Sequence, residues 1–190
     1  MIDKALFFLK QELNAYLKLK TGDDNKVTLS AVVDQSGHEV APSKSIGMML
    51  VNIEEERAYS HTPSHTVTSN GQYSFRNREL SLNLYILLYA NHTDHREALV
   101  LISYVVEFFQ GHHSFENQEY PQLGEDIEKL IADLYSLSFE QQNQLWASLG
   151  AKYLPSAVYK IRMLIVDTNQ PAMVAPGISS LDASFAGNRE

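Results

Sequence analysis

The chain has no cysteine among its 190 residues. Disulfides, thiolate metal sites and cysteine nucleophiles are therefore excluded. Cations are also scarce: 15 Lys and Arg stand against 23 Asp and Glu, for a formal net charge of -8. A nucleic-acid coat needs clustered Lys and Arg to neutralise phosphate, so that partner is set aside. No apolar run approaches the roughly 20 residues of a membrane helix. The longest runs, around 84–90 and 98–106, read as core elements instead. At the start, MIDKALFFLK puts Asp3 and Lys4 before a very short apolar stretch with no small-residue cleavage site behind it. A secretory signal looks different. Gly-x-Ser-x-Gly, a Walker loop and a dinucleotide fingerprint are all missing. What is present is a 44% apolar chain with ample material for a core. The length fits one domain, or one domain plus a short arm. A soluble protein made and assembled in the cytoplasm is expected.

Apolar residues at helical spacing (Ile2, Leu6, Leu9, Leu13, Tyr16, Leu17) predict a helix over 2–20, ended by Gly22. Residues 27–33 alternate and are β-branched, which predicts a strand. A second strand is expected at 46–53, running on towards Arg57. Gly47 inside it signals a bulge or a close backbone approach. Residues 58–79 are polar, with a turn signal at Asn70-Gly71. A loop of that length is unusual in a compact domain, and an extended hairpin with Tyr73 and Phe75 on its return is one reading.

The strand over 80–90 is the clearest. Leu80, Leu82, Leu84, Ile86 and Leu88 share one face. Both faces become apolar late in it, as in a strand covered on two sides. Asp94 has the place of an N-cap for a helix reaching about Gln110. Residues 130–136 predict a strand, with a helix over 127–134 also open. Ser138, with Gln141 three on, caps a short helix over 139–149 closed by Gly150. Pro155 precedes a last strand over 157–167. The order α-β-β-β-α-β-α-β predicts an α/β fold of the α+β kind: a mostly antiparallel mixed sheet, opened by a three-strand meander, with helices packed on it. Residues 1–167 are expected to form the domain. Residues 168–190, small and polar with Pro171, Pro176 and Gly177, read as a C-terminal arm.

Chemistry finds little footing. His61 and His65 lie in a Ser/Thr/Pro loop, His92 and His95 flank Asp94, and His112 and His113 are adjacent. A zinc site needs three or four converging ligands, and no spacing here enforces convergence. No metal or other cofactor is expected. On a strand Glu54 and Glu56 share a face with Glu55 opposite, which more often marks a solvated or salt-bridged surface than an acid–base pair. Trp146, near Leu145 and Leu149, is a core or subunit-interface anchor. Arg57, Arg76 and Arg78 bracket the long loop, either as partners for acidic surfaces or as solvated charge. Ile178, Leu181 and Phe185 are spaced three and four apart, which would put them on one face of a short helix. These seven residues are the candidate interface, and no catalytic residue is assigned.

Several stretches carry a resemblance. They are IDKALFFLKQELNAYLK at the start, VNIEEER at 51–57, RNRELSLNLYILLYAN at 76–91, and LYSLSFEQQNQLWASLGAKYLPSAVYKIRMLIVD at 134–167. Together they resemble the tail-terminator, or cap, family of extracellular contractile injection systems, the virulence-cassette and antifeeding-prophage type of phage-tail-like particle. The similarity covers about residues 1–167, and the SFEQ…LW.SLGAKYLPS…YK.R block is its most specific part. It implies a phage tail-terminator-like fold and a non-enzymatic structural role: a ring, six-membered by analogy, on the terminal inner-tube ring and the last sheath layer. It supplies no catalytic residue, and from charge and hydropathy neither a membrane nor a nucleic-acid partner is expected. A baseplate or collar adaptor of the same kind of particle is the next reading, and a small free-standing enzyme or binding domain is the third.

Overall fold

The computed structural model describes residues 1–56 and 81–165, and as backbone alone the segments 65–67, 72–75 and 173–176. The elements in chain order are α1 (Ile2–Thr21), β1 (Val27–Leu29), β2 (Ser45–Glu55), β3 (His65–Val67), β4 (Gln72–Phe75), β5 (Ser81–Asn91), α2 (His95–Gly111), β6 (Ser114–Glu116), a 3₁₀ turn (Pro121–Leu123), β7 (Ile127–Leu134), α3 (Phe139–Ser148), β8 (Ser156–Ile165) and β9 (Met173–Pro176). The main sheet has the order β1-β2-β5-β8-β7-β6. Its pairs are antiparallel except β1 with β2, so the expected mixed, mostly antiparallel architecture is observed. A separate three-stranded sheet joins β3, β4 and β9. The 58–79 segment thus contains an antiparallel hairpin, and residues 173–176 pair with its return strand.

Two layers cover the main sheet. On the near face, α1 contributes Leu9, Leu13 and Leu17, and α2 contributes Val105, Phe108 and Phe109. They pack on Ile46 and Met48 of β2, Leu84, Ile86 and Leu88 of β5, and Ile161 and Met163 of β8. The far face carries a smaller core of Val32, Ala41, Leu87, Tyr89, Trp146 and Val158. Side chains alternate across a strand. Ile86 and Leu88 therefore join the near core while Leu87 between them turns to the far one, as the two-sided reading of β5 requires. Helix ends follow local chemistry. Gly22, at φ 77, closes α1. The backbone N–H groups of Arg96 and Glu97 donate to Asp94 at 2.8 and 3.3 Å.

The first two strands depart from the expected meander, because β1 and β2 run parallel. Residues 30–44 carry the chain over the far face and back to the starting end. Val32 and Ala41 sink into the small core there. A turn at Asp34, whose carboxylate accepts from the N–H groups of Ser36 and His38 at 2.8 and 2.9 Å, reverses the chain between them. On the return, Asn91 Nδ2 donates to the Ala41 carbonyl at 2.8 Å and Ser45 Oγ to that of Pro42 at 2.6 Å. The strand predicted over 27–33 accordingly stops at Leu29. On its outer edge, Asn14 of α1 serves as a substitute strand, donating to the Val27 carbonyl at 3.2 Å and accepting from the Val27 N–H at 2.8 Å.

Gly47 is the point of close approach that the sequence signalled. It pairs with Tyr89 across β2 and β5, and a Cβ on Gly47 would collide with the Tyr89 ring. The hydroxyl of that ring donates to the Ala31 carbonyl at 2.9 Å and lies 3.2 Å from Ser30 Oγ. The bulge falls elsewhere, at Val51, where the register shifts between Leu50 and Asn52. The 127–134 segment, open between strand and helix, is strand β7. Strand β6 and the 3₁₀ turn have no counterpart in the sequence reading. Their anchors, Phe115 and Leu123, are fully buried, and Phe8 meets Phe115 and Tyr120 edge-on at 5.4 Å each.

Gly47→Ala should therefore destabilise the fold by about 1–3 kcal/mol, the usual cost of an overpacked core site. A lowered midpoint with unchanged slope in urea unfolding is the expected result.

Candidate functional site

Among the described residues, the far face of the sheet divides into two chemically different surfaces. Towards the Glu55, Ser81 and Ile165 end it is polar. Tyr85 donates its hydroxyl to Glu54 Oε2 at 2.7 Å, and Asn83 Nδ2 donates to Glu56 Oε2 at 3.1 Å. Lys160 lies 3.5 Å from the same Glu56 oxygen, and Arg162 3.4 Å from Asp133 Oδ2. The ring of Tyr135 meets that of Tyr85 edge-on at 5.0 Å. Glu54 and Glu56 thus share a face, and both carboxylates are engaged in side-chain contacts across the strands. Such partly exposed pairs add little stability each. Their effect is to keep this half of the face hydrophilic.

Towards the Ser45, Asn91 and Ser156 end the same face is apolar, and α3 covers it. Ser138 caps α3 by the predicted capping box: its Oγ accepts from the Gln141 N–H at 3.2 Å while Gln141 Oε1 accepts from the Ser138 N–H at 2.9 Å. Gly150 ends the turn at φ 66. This fixes Trp146 over Leu87 and Val158, only 5% exposed. A cleft of about 310 Å³ opens beside it across the edge of the sheet, lined by Leu87, Val158, Leu145 and Trp146 of the far side and by Ile102 and Ala157, which pack with the near core. On the outer side of Trp146 a more open depression of about 370 Å³ lies among Phe139, Asn143 and Tyr153. Gln142 and Trp146 border both. Around them stand apolar side chains in water: Phe139 is 92% exposed, Leu134 and Tyr153 56% each, and Tyr135 38%. Contiguous exposed apolar groups are commoner at contact surfaces than elsewhere on soluble proteins.

Of the seven candidate interface residues, Trp146 falls at this surface, as its buried floor rather than its exposed part. Its indole meets the Tyr153 ring edge-on at 5.5 Å. Arg57, Arg76, Arg78, Ile178, Leu181 and Phe185 lie outside the described residues. Sequence reasoning passed over Phe139, Tyr153, Leu134 and Tyr135. Phe139 had a readable signal, since it directly follows the cap and stands seven residues before Trp146, on nearly the same helix face. The described histidines include local structural parts. His92 Nδ1 accepts from the Asp94 N–H at 2.9 Å, and the His112 ring stacks on Phe108 at 5.1 Å. Among the described residues no three His, Asp or Glu side chains converge as a metal-binding group, and no helix is long and apolar enough to cross a membrane. His61 lies outside the described residues, and of His65 only the backbone is described.

The fold is shared with solved tail terminators. The sheath/tube terminator of the PVC extracellular contractile injection system, in its extended state, matches with a TM-score of 0.57 at 13% identity, over 95% of this chain and 63% of that one. The tube-terminating cap of the anti-feeding prophage matches with a TM-score of 0.59 at 14% identity, over 97% of this chain and 61% of that one. The chain therefore spans less than two thirds of the length of these structural relatives. No curated protein matches it by sequence. The class is that of an α/β domain with the fold of these two structures. Within it, the model of the Pvc16 N-terminal domain matches residues 7–180, and the chain belongs to that family.

Two measurements probe the surface. Phe139→Ser should leave unfolding free energy within about 0.5 kcal/mol, since the side chain is solvated, whereas Trp146→Ala should cost about 3–5 kcal/mol. In addition, the carboxylate of Glu54, which accepts the Tyr85 hydrogen bond, and partial burial push the Tyr85 phenol up from 10.0 to about 12. The folded state then holds this proton more tightly than the unfolded chain. The resulting stabilisation is complete below pH 10 and is lost as pH rises towards about 12. Ultraviolet titration of tyrosine should show one late-ionising group that moves down in Glu54→Gln. Tyr159, raised to about 12 by burial alone, should not move.

Proposed function

We propose that this chain is the cap domain of a contractile injection particle. In this reading, copies of it form a ring, six-membered by analogy with tail terminators, on the distal end of the inner tube and the last sheath layer. The ring ends tube assembly and holds the sheath extended. The role is mechanical, with no catalysis, and assembly takes place in the cytoplasm before the particle is released or anchored. The observation that carries the reading is that a tail-terminator fold runs through 95% and 97% of the chain in two separate particles. Family membership over residues 7–180 supports it independently. A sheet covered on both faces, with exposed apolar side chains around Trp146 and a hydrophilic surface towards Glu54 and Lys160, supports the reading. One side of a ring built from it can dock on the tube, and the other offers nothing on which a further tube ring can grow. Weak contacts suffice, because docking of one subunit positions the rest.

Deletion of the gene should give tubes of scattered length or sheaths that contract spontaneously. The purified particle should carry this subunit as a closed ring at its distal end, seen by electron microscopy and by native mass measurement. Particles of uniform length that remain contractile without the gene would overturn the proposal.

A further inference from the structure

Among the described residues, most of the outer edge of the main sheet is guarded against pairing with a further strand. On β1, the Asn14 side chain takes both backbone groups of Val27. Strand β2 has no described neighbour beyond Met48, but that stretch carries the register shift at Val51 and the acidic residues Glu54 and Glu55. Strand β6 has three residues, and its Glu116 carbonyl is taken by the N–H groups of Glu119 and Tyr120. Bulges, charges, short strands and covering groups are the means by which sheet edges avoid joining other chains.

The end of β7 has none of these guards. Its last bond towards β6 runs from the Ala132 N–H to the His113 carbonyl at 2.8 Å. On the other side, the Tyr135 N–H donates to the Val158 carbonyl of β8 at 2.8 Å. Backbone groups alternate in direction along an antiparallel strand, so those of Leu134 face outward. Among the described residues nothing bonds to the Leu134 N–H or carbonyl, and its side chain is 56% exposed. Residues 134–137 read Leu-Tyr-Ser-Leu, with no charge and no proline.

All four of these residues line the cleft of about 310 Å³, which lies between Ile102 and Val106 of α2 and Leu145 and Trp146 of α3. No Asp, Glu, Lys or Arg lines it, although the chain has a net charge of -8. Open backbone groups in an uncharged slot select one kind of occupant. It is an extended backbone, which supplies the missing hydrogen bonds, with uncharged apolar side chains towards both helices. A strand covered on both faces has that composition. The described edges of a second copy do not offer it, since they are plugged, acidic and bulged, or short.

We propose that residues 134–137 of β7 accept a short, uncharged, apolar segment of a different protein as an added strand in the cleft between α2 and α3. This is recognition by strand addition, in which main-chain bonds give affinity and the flanking pockets give selectivity. It does not rest on the cap reading.

The probe is the peptide Thr-Val-Ile-Val-Thr with a polyethylene glycol tail for solubility, added to the full chain. At saturation, hydrogen exchange at the Leu134 amide should slow tenfold or more. The same peptide methylated at every backbone nitrogen keeps its side chains but loses its donors, and should bind at least tenfold more weakly. Leu134→Pro removes the outward N–H while sparing the bonds to β8. Ser136→Glu places a charge in the slot at an exposed position. Each should weaken binding tenfold or more, and the urea midpoint of Ser136→Glu should stay unchanged. Should Leu134→Pro fail to fold, Ser136→Glu decides alone. In the cells that make this protein, a photoreactive residue at position 136 should capture an uncharged apolar segment of a different protein, mapped to its residues. No binding up to the solubility limit of the peptide, binding that leaves Leu134 exchange unchanged, or equal binding of the methylated peptide would overturn strand addition. Capture of a second copy of this chain, or of a charged segment, would overturn the assigned partner. A particle found to lack this chain would remove the cap reading and leave these results standing.

Discussion

The seating of one aromatic ring on one glycine organises the far side of this molecule. Tyr89 needs the volume that Gly47 leaves vacant, and no other residue at position 47 leaves it. With the ring lying across β2, its hydroxyl reaches over the sheet to residues 30 and 31. Three parts are thereby held by one side chain: the central strand it grows from, the neighbouring strand it covers, and the connection that makes β1 parallel to β2. The small core of Val32, Ala41, Leu87 and Trp146 is built next to it, and α3 rests on that core. The exposed apolar surface around Trp146 is therefore supported, two layers down, by a small-to-large pairing across two strands.

Much of this was legible along the chain, for physical reasons. The 80–90 segment is apolar on both faces because β5 lies inside the sheet and under two layers. Ser138 with Gln141 announced α3, since a capping box is a local bond pattern that needs no tertiary context. Gly47 was readable as a close approach, although Tyr89 as the approaching group was not. What stayed hidden depended on distant partners. The parallel start of the sheet comes from burial of Val32 and Ala41 in the far core, and nothing local to residues 27–46 records it. Strand β6 has three residues, and Phe115 becomes an anchor only because Phe8 and Tyr120 converge on it from elsewhere. The exposed aromatic surface was hidden for the opposite reason. Phe139, Tyr153 and Leu134 are scattered in sequence, and only the fold gathers them around Trp146.

The contrast between the two halves of the far face also bears on assembly. Paired charges and a tyrosine–carboxylate bond keep one half wet. The linings of the cleft and the depression carry no charged side chain, in a chain of net charge -8. Like-charged subunits repel at long range, but a contact made through these linings removes no charge from water and so avoids desolvation cost. Any partner of the same sign can meet such a patch without burying charge, while the acidic remainder of the surface discourages disordered contacts.

The last long strand occupies an inner position. Strand β8 lies between β5 and β7, so the two halves of the sheet meet only through residues 156–165. A nascent chain that has emerged as far as α3 holds two separate sheet fragments, each with an apolar strand edge exposed. Closure waits for nearly all of the domain to leave the ribosome, and it joins segments far apart in sequence, a slow kind of step. Folding is then tied to synthesis through residue 165, and a chain ended before that strand is an aggregation-prone fragment.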